Sequence, residues 1–339
     1  MKSIAVFNNK GGVGKTTLLC NIAACLKDKG LRILLIDADP QCNATIYLFS
    51  QEQIETFYSS KKTKTIYNLV SPMKRGYKSI DFCNIPIEHS YGFNIDVVLG
   101  DTKLAVAEDL FSKEWIDLDT SFRERALAST FFLKDLFGKI KNEYDYVLFD
   151  MGPSLGSLNR LILLNCDYFI IPMSSDIFSL KAVENIGQSL EVWQSKINKV
   201  LEDVKLDNDE ETYLADGNKL LVSPKFLGYV SQQYNAKTRG GEKLPVKAYE
   251  HIIQRMPEKI KLYLKNFYDG NAPQLQIGSI PTMNSLIPLS QMASKPIYKM
   301  TGSDGVVGAH FKKVQDSKVV FESVVEKLLD TILYYDQLA

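Results

Sequence analysis

Histidine and cysteine are scarce in this chain, three and five residues out of 339, and no two cysteines stand at a spacing used by metal centres or disulfide frameworks. Cys20 and Cys25 fall on or beside one helical segment, and Cys42, Cys83 and Cys166 are isolated, so buried reduced thiols are expected. His89, His251 and His310 are far apart and are expected at the surface rather than as ligands. No apolar run approaches the roughly 20 residues that a bilayer span requires, and the first residues read as a strand rather than a leader. A cytoplasmic location with no membrane partner is therefore expected. Net charge is also missing: 40 basic residues balance 40 acidic ones, which removes a global electrostatic case for nucleic acid. A chain that is 45% hydrophobic and 24% charged can still bury a large core, in one or two domains on length alone.

The most informative segment lies near the amino terminus. Directly after the apolar run Ile4-Ala5-Val6-Phe7 comes Lys10-Gly11-Gly12-Val13-Gly14-Lys15-Thr16-Thr17. Glycines at 11, 12 and 14 let the backbone wrap an anion with its N–H groups pointing inward, and the helix starting near Thr16 adds its positive end. In such a loop Lys15 reaches the β- and γ-phosphates of a nucleotide and the Thr16 hydroxyl ligates Mg²⁺. The context agrees. Lys2 to Asn8 reads as a buried strand, Leu18, Ile22 and Leu26 recur at helical spacing before Gly30, and a second strand, Arg32 to Ile36, ends at Asp37. Lys10 is not explained by that scheme alone.

Two further segments place carboxylates at strand ends: Asp37-Ala38-Asp39-Pro40-Gln41-Cys42-Asn43, and Asp150-Met151-Gly152-Pro153-Ser154-Leu155-Gly156 after Tyr146-Val147-Leu148-Phe149. In a parallel sheet such ends collect on one edge. Together with Lys10 in the pattern KGGxGK[ST], these segments resemble the deviant Walker A, switch I (DxDPQxN) and switch II (DxPPSLG) motifs of the ParA/MinD family of P-loop ATPases. The resemblance implies ATP and Mg²⁺ as ligands, Lys10 crossing a dimer interface to the partner's nucleotide, Asp39 orienting the attacking water, Asp37 supporting the metal shell and Asp150 holding the metal through water. Gly152 departs from the pattern, standing where the family usually has proline. Thr65-Ile66-Tyr67-Asn68-Leu69, Asn94 to Asp101, Cys166 to Pro172, Ile280-Pro281-Thr282-Met283-Asn284 and Ser294-Lys295-Pro296-Ile297 echo other family segments. By that resemblance Gly11, Gly12, Val13, Gly14, Lys15, Thr16 and Thr17, with Pro281, Thr282 and Met283, are the nucleotide-binding candidates.

The implied fold is α/β, a single domain over 1–339 with a doubly wound, mostly parallel sheet and flanking helices, insertions near 51–93 and 199–220, and a carboxyl-terminal helix near 317–335. From Leu201 to Asp216 seven acids face only Lys205, which reads as a solvated, mobile insertion. From Asn235 to Lys265 the sign reverses, eight bases against three acids, and Lys237, Arg239, Lys243 and Lys247 are candidates for tracking a DNA backbone without reading bases. In the last helix Val319, Val320, Val324, Leu328, Leu329, Ile332 and Leu333 suggest an apolar face, but its polar positions are acidic, whereas membrane-seeking helices are basic there. Packing on the sheet is expected instead.

The function the resemblance implies is a Mg²⁺-dependent ATPase cycling between monomer and ATP-bound homodimer, serving plasmid or chromosome partition or cargo positioning over nonspecific DNA. A ParB-like activating adaptor and a nucleoid-associated location go with that reading. An iron-protein electron donor would need cysteines near switch II, and none lies between Asp150 and Asn165. A small-molecule kinase is a further option that the DxDPQ segment supports little. A nucleotide-controlled interaction module with slow turnover keeps the same residues, and phosphate release with and without DNA discriminates it.

Overall fold

The computed structural model describes residues 1–71, 85–208, 222, 224–232, 238–239, 242–243 and 247–338. In chain order the elements are β1 (Lys2–Val6), α1 (Lys15–Asp28), β2 (Ile33–Asp37), α2 (Asn43–Leu48), α3 (Gln51–Ser59), α4 (Ile66–Val70), β3 (Glu88–Ser90), β4 (Ile95–Val98), α5 (Leu104–Asp117), α6 (Arg123–Thr130), α7 (Phe132–Ile140) and β5 (Tyr146–Asp150). There follow α8 (Ser157–Asn165), β6 (Tyr168–Ser174), α9 (Ile177–Asn208), β7 (Lys225–Gln232), the short pair β8 (Thr238–Arg239) and β9 (Glu242–Lys243), α10 (Lys247–Tyr263), β10 (Gln276–Ile280), α11 (Leu286–Ala293) and α12 (His310–Leu338).

Eight strands form one sheet in the order β10-β7-β6-β1-β5-β2-β4-β3. Every pairing is parallel except that of β3 with β4. The architecture is thus the doubly wound, mostly parallel α/β sheet that the resemblance implies. Strands covered on both faces read as near-continuous apolar runs, and Ile4–Val6, Ile33–Ile36, Val147–Phe149 and Phe169–Met173 are buried runs of that kind in β1, β2, β5 and β6. Their side chains alternate between two cores. Ala5, Leu34, Ile36, Val147, Phe149 and Phe169 join the layer that includes α5 to α10. Ile4, Val6, Ile33, Leu35, Leu148 and Ile170 join the layer of α1, α2 and α12.

The sheet order puts β1 between β6 and β5, so the chain after β1 crosses to β2 over β5. The direction of winding reverses at β1, and the crevice outside the carboxyl ends of β1, β5 and β6 is where such sheets bind ligands. The register is the decisive detail. Val6 and Asp37 both pair with Asp150, so the phosphate-loop strand and both acid-bearing strands end at the same level.

Three local expectations change. α9 continues through Asn208, so the first half of the acidic run is the end of a helix; residues 209–216 of that run lie outside the described residues. α12 is longer than 317–335, and its buried face is Val314, Phe321, Val324, Val325, Leu328, Ile332 and Tyr335. Val319 and Leu333 are exposed at 67% and 58%. Val324, Leu328 and Ile332 of the expected face are buried, Val320 and Leu329 pack partly buried against the same core, and Phe321, Val325 and Tyr335 complete the stripe. Among the histidines only His251 is plainly exposed. His89 Nδ1 lies 2.7 Å from Asp96 Oδ1 across the β3–β4 hairpin, and His310 Nδ1 is buried. Cys20, Cys25, Cys42 and Cys166 are free and buried, whereas Cys83 lies outside the described residues.

Candidate nucleotide site

The loop after β1 is pinned before it turns. The Asn8 side-chain amide donates to the Pro172 carbonyl at the end of β6 at 2.7 Å, and Lys10 N donates back to Asn8 Oδ1 at 2.9 Å. Gly12 and Gly14 then adopt φ of +72° and +67°, a region where a side chain costs about 1–2 kcal/mol. Gln232 reaches over Gly14 from the end of β7, its Nε2 2.0 Å from where a Cβ on Gly14 would stand, a contact that the flexible Gln side chain can relieve, so the positive φ is what requires glycine there. A Cβ at Gly11, by contrast, would meet nothing within 4 Å. Val13 is buried and anchors the loop, and α1 begins at Lys15. Lys15 curls back so that Nζ donates to the Lys10 carbonyl at 3.2 Å. Burial lowers its pKa, opposed by the charges of Asp150 and Asp39.

The acids at the strand ends divide their work. Thr16 Oγ1 donates to Asp150 Oδ2 at 2.7 Å, while the other carboxylate oxygen, Oδ1, is buried without a hydrogen-bond partner. Burial pushes the Asp150 pKa well up, and the neighbouring Asp37 adds to it. Asp37 is spent: Oδ2 accepts from Thr45 N at 2.8 Å and Thr45 Oγ1 at 2.7 Å, and Oδ1 accepts from Asp39 N at 3.3 Å. Burial raises Asp37 to about 6 against the pull of those bonds. Asp39 accepts from Gln41 N at 2.9 Å and faces switch II, where a Cβ at Gly152 would stand 3.2 Å from its Oδ1. The departure from proline at 152 therefore leaves Asp39 room against the switch II backbone. Asn159 clamps that turn from α8, its amide donating to the carbonyls of Gly152 at 2.8 Å and Ser154 at 2.7 Å.

A hydroxyl beside an orphaned, buried carboxylate oxygen suits a hard cation. Mg²⁺ takes oxygen ligands, usually one or two carboxylates together with substrate phosphates. Thr16 and Asp150 fit that donor set, and Asp37, with both oxygens engaged, fits a positioning role. Among the described residues there is no cluster of three or more His, Cys, Asp and Glu able to hold a metal, and the Mg²⁺ arrangement does not call for one.

Lys10 is held inside its own subunit. Its ammonium donates to Ser174 Oγ at 2.7 Å and forms an ion pair with Asp176, to which Ser174 Oγ also donates at 2.6 Å. Burial favours the neutral Asp176 carboxyl, but the bonds from Lys10 and Ser174 outweigh it and hold the group below the usual range. Asp176 follows directly on β6 at the same sheet edge as the other acids. Strand-end position was its one signal in the sequence, and Asn159 and Gln232 had none. Lys10, Gly11, Gly12 and Thr17 share a cleft of about 630 Å³ with Gln232, Pro281, Thr282 and Met283, so the two groups of nucleotide candidates meet. Of the DNA candidates, Lys237 lies outside the described residues, as do the side chains of Arg239, Lys243 and Lys247.

A family model described as an AAA domain matches residues 1–203. The sporulation initiation inhibitor protein Soj of Bacillus subtilis is 31% identical over 198 residues, 58% of this chain and 68% of Soj. The chain belongs to the ParA/MinD family of P-loop ATPases. A crystal structure of a Corynebacterium diphtheriae protein, DIP2308, is 27% identical and superposes with a TM-score of 0.70 over 87% of this chain and 97% of that one. An ATP complex of Cyanothece McdA, at 17% identity, shares the fold with a TM-score of 0.63 over 97% of this chain and 96% of its own. ATP hydrolysis is thus the activity of this P-loop site. No helix among the described residues is long and apolar enough to cross a membrane.

Proposed function

We propose that this chain is a Mg²⁺-dependent ATPase whose hydrolysis drives a monomer–homodimer cycle, and that the ATP-bound dimer binds DNA without base specificity to partition or position a cargo. The observation that carries the reading is the pairing of Thr16 with Asp150 at the mouth of the loop, one carboxylate oxygen left unpartnered beside the buried Lys15. Bound Mg²⁺ would neutralise phosphate charge and draw the β- and γ-phosphates into one geometry. The loop N–H groups and Lys15 would hold the triphosphate, Pro281, Thr282 and Met283 would border the base, and Asp39 would hold the attacking water. Lys10 would leave Asp176 for the partner's phosphates, so that dimer formation completes each site with a second cation. Loss of the γ-phosphate would release the switches and the dimer.

Lys237, Arg239, Lys243 and Lys247 are the proposed phosphate contacts, supported by the local excess of bases. A ParB-like adaptor would stimulate turnover, and the dimer would reside on the nucleoid. The test is steady-state phosphate release by the full chain with Mg²⁺ or with EDTA, with and without duplex DNA. Release that needs Mg²⁺ and disappears in Lys15→Ala supports the reading; release unchanged by either would overturn it.

A further inference from the structure

Switch II leads straight into α8, and that helix begins without a cap of its own. Gly156 stands at the N-cap position and has no side-chain oxygen to offer, so the first N–H groups of α8 depend on acceptors from elsewhere in the fold. One acceptor comes from α5. Leu158 N donates to Glu108 Oε2 at 3.1 Å, and Ser157 Oγ donates to the Glu108 carbonyl at 2.6 Å. The other carboxylate oxygen, Oε1, packs against Gly156, 1.9 Å from where a Cβ would stand on that last residue of the switch. A negative charge in this place is stabilised by the unpaired N–H groups of the helix end.

The same carboxylate faces a second positive group in the first turn of α8. Burial lowers the Arg160 pKa to about 10, and the charge of Glu108 opposes that shift. The Arg160 guanidinium carbon stands 4.1 Å from the ring centroid of Trp115, which lies further along α5. α5 therefore holds the start of α8 through both Glu108 and Trp115. From there the hold passes to the switch. Asn159 follows Leu158 directly, and its amide donates to the carbonyls of Gly152 and Ser154. Gly152 is in turn the residue that Asp39 Oδ1 approaches, 3.2 Å from the position of a Cβ there. Glu108 is thus connected to Asp39 through Leu158, Asn159 and Gly152.

We propose that Glu108 is a positioning residue for ATP hydrolysis: by holding the amino end of α8 it fixes switch II against Asp39. This role rests on the proposed one of Asp39 in holding the attacking water. Glu108 makes no hydrogen bond to the phosphate loop among the described residues. Its loss should therefore weaken the chemical step and leave nucleotide binding nearly as it was.

The test is phosphate release by the full chain over a range of ATP concentrations with Mg²⁺, for the parent, Glu108→Ala and Glu108→Gln. Glu108→Ala should lower kcat about tenfold while KM moves by no more than about twofold, because the loop still holds the triphosphate. Glu108→Gln keeps an acceptor for Leu158 N but loses the charge, and its kcat should stand between the two, a few-fold below the parent. Trp115 and Trp193 are the only tryptophans of the chain, and the Arg160 guanidinium carbon lies 6.0 Å from the Trp193 ring centroid, so emission follows the seating of α8. The emission of Glu108→Ala with ATP and Mg²⁺ should differ from that of the parent. A cap with a purely structural role would lower the melting temperature and leave kcat of the folded variant at the parent value. That result would overturn the proposal, as would a raised KM with kcat unchanged. Should Glu108→Ala not fold, a kcat of Glu108→Gln equal to the parent value overturns it alone. A parent protein that releases no phosphate overturns the ATPase reading itself, an outcome distinct from an active parent with indifferent variants.

Discussion

A few atoms set the chemistry of the phosphate loop, and each has a separable cost. Lys15 is a buried ammonium held by one carbonyl and two nearby carboxylate charges, an arrangement that pre-positions a cation for a polyanion. Replacing it with alanine removes a charge-assisted contact of about 3 kcal/mol, so ATP affinity should fall on the order of a hundredfold. Titration with fluorescent ATP checks this, and equal binding by variant and parent would refute the loop assignment. At the opposite edge, Asp145 receives Arg32 N at 2.7 Å and the Arg32 guanidinium at 2.8 Å. Those bonds pull its pKa down to about 2. Because the folded value lies below the unfolded value of about 3.9, the pair stabilises the fold above pH ~4, and the contribution is lost as pH falls through about 2. Acid unfolding curves of parent and Asp145→Asn should therefore be separated near neutrality and converge toward pH 2.

Among the elements, strands and the loop were legible because their chemistry is periodic or spaced. Short continuous apolar runs ending in Asp37 and Asp150, placed beside the βαβ start, read as interior parallel strands, and the glycine spacing around Lys15 has few other uses. What stayed hidden depends on side chains meeting across the fold. Asp176, just past β6, and Gln232, at the end of β7, carry no motif, yet one holds Lys10 and the other reaches over Gly14. On α12 the expected Val324, Leu328 and Ile332 do face the core, with Val320 and Leu329 partly buried against it, while Val319 and Leu333 point outward. The buried face is set by close approach to β10, where a Cβ on Gly278 would stand 2.3 Å from Val324 Cγ2. The end of β6 gives the element-scale prediction. If Lys10 must leave Asp176 to act in trans, Asp176→Asn should lower the ATP concentration needed for dimerisation. Lys10→Ala should bind nucleotide and yet fail to dimerise or turn over. Asp39→Ala should accumulate as an ATP-bound dimer, because the water is no longer held. Light scattering with ATP separates the three, and a Lys10→Ala variant that dimerises and hydrolyses normally would remove the trans role.

At the scale of the whole molecule the question is how a chain of zero formal net charge could hold DNA. Local excess must do it: from Asn235 to Lys265 eight bases face three acids. One such patch makes few phosphate contacts, and binding that releases few counterions is weak at physiological salt. A dimer doubles the contacts on one rigid body, which steepens the salt dependence and raises affinity by orders of magnitude without any new kind of interaction. DNA binding should therefore require ATP and be strongest in Asp39→Ala, where the dimer persists. Replacing Lys237, Arg239, Lys243 and Lys247 with alanine should flatten the slope of log affinity against log salt while leaving ATP-driven dimerisation intact. The loss should be similar on unrelated duplexes, since phosphates rather than base edges are contacted. Mobility shifts of Asp39→Ala at several salt concentrations, with and without the four substitutions, measure both quantities. An unchanged slope would mean that the basic stretch is a solvated surface and that any DNA contact lies elsewhere on the dimer.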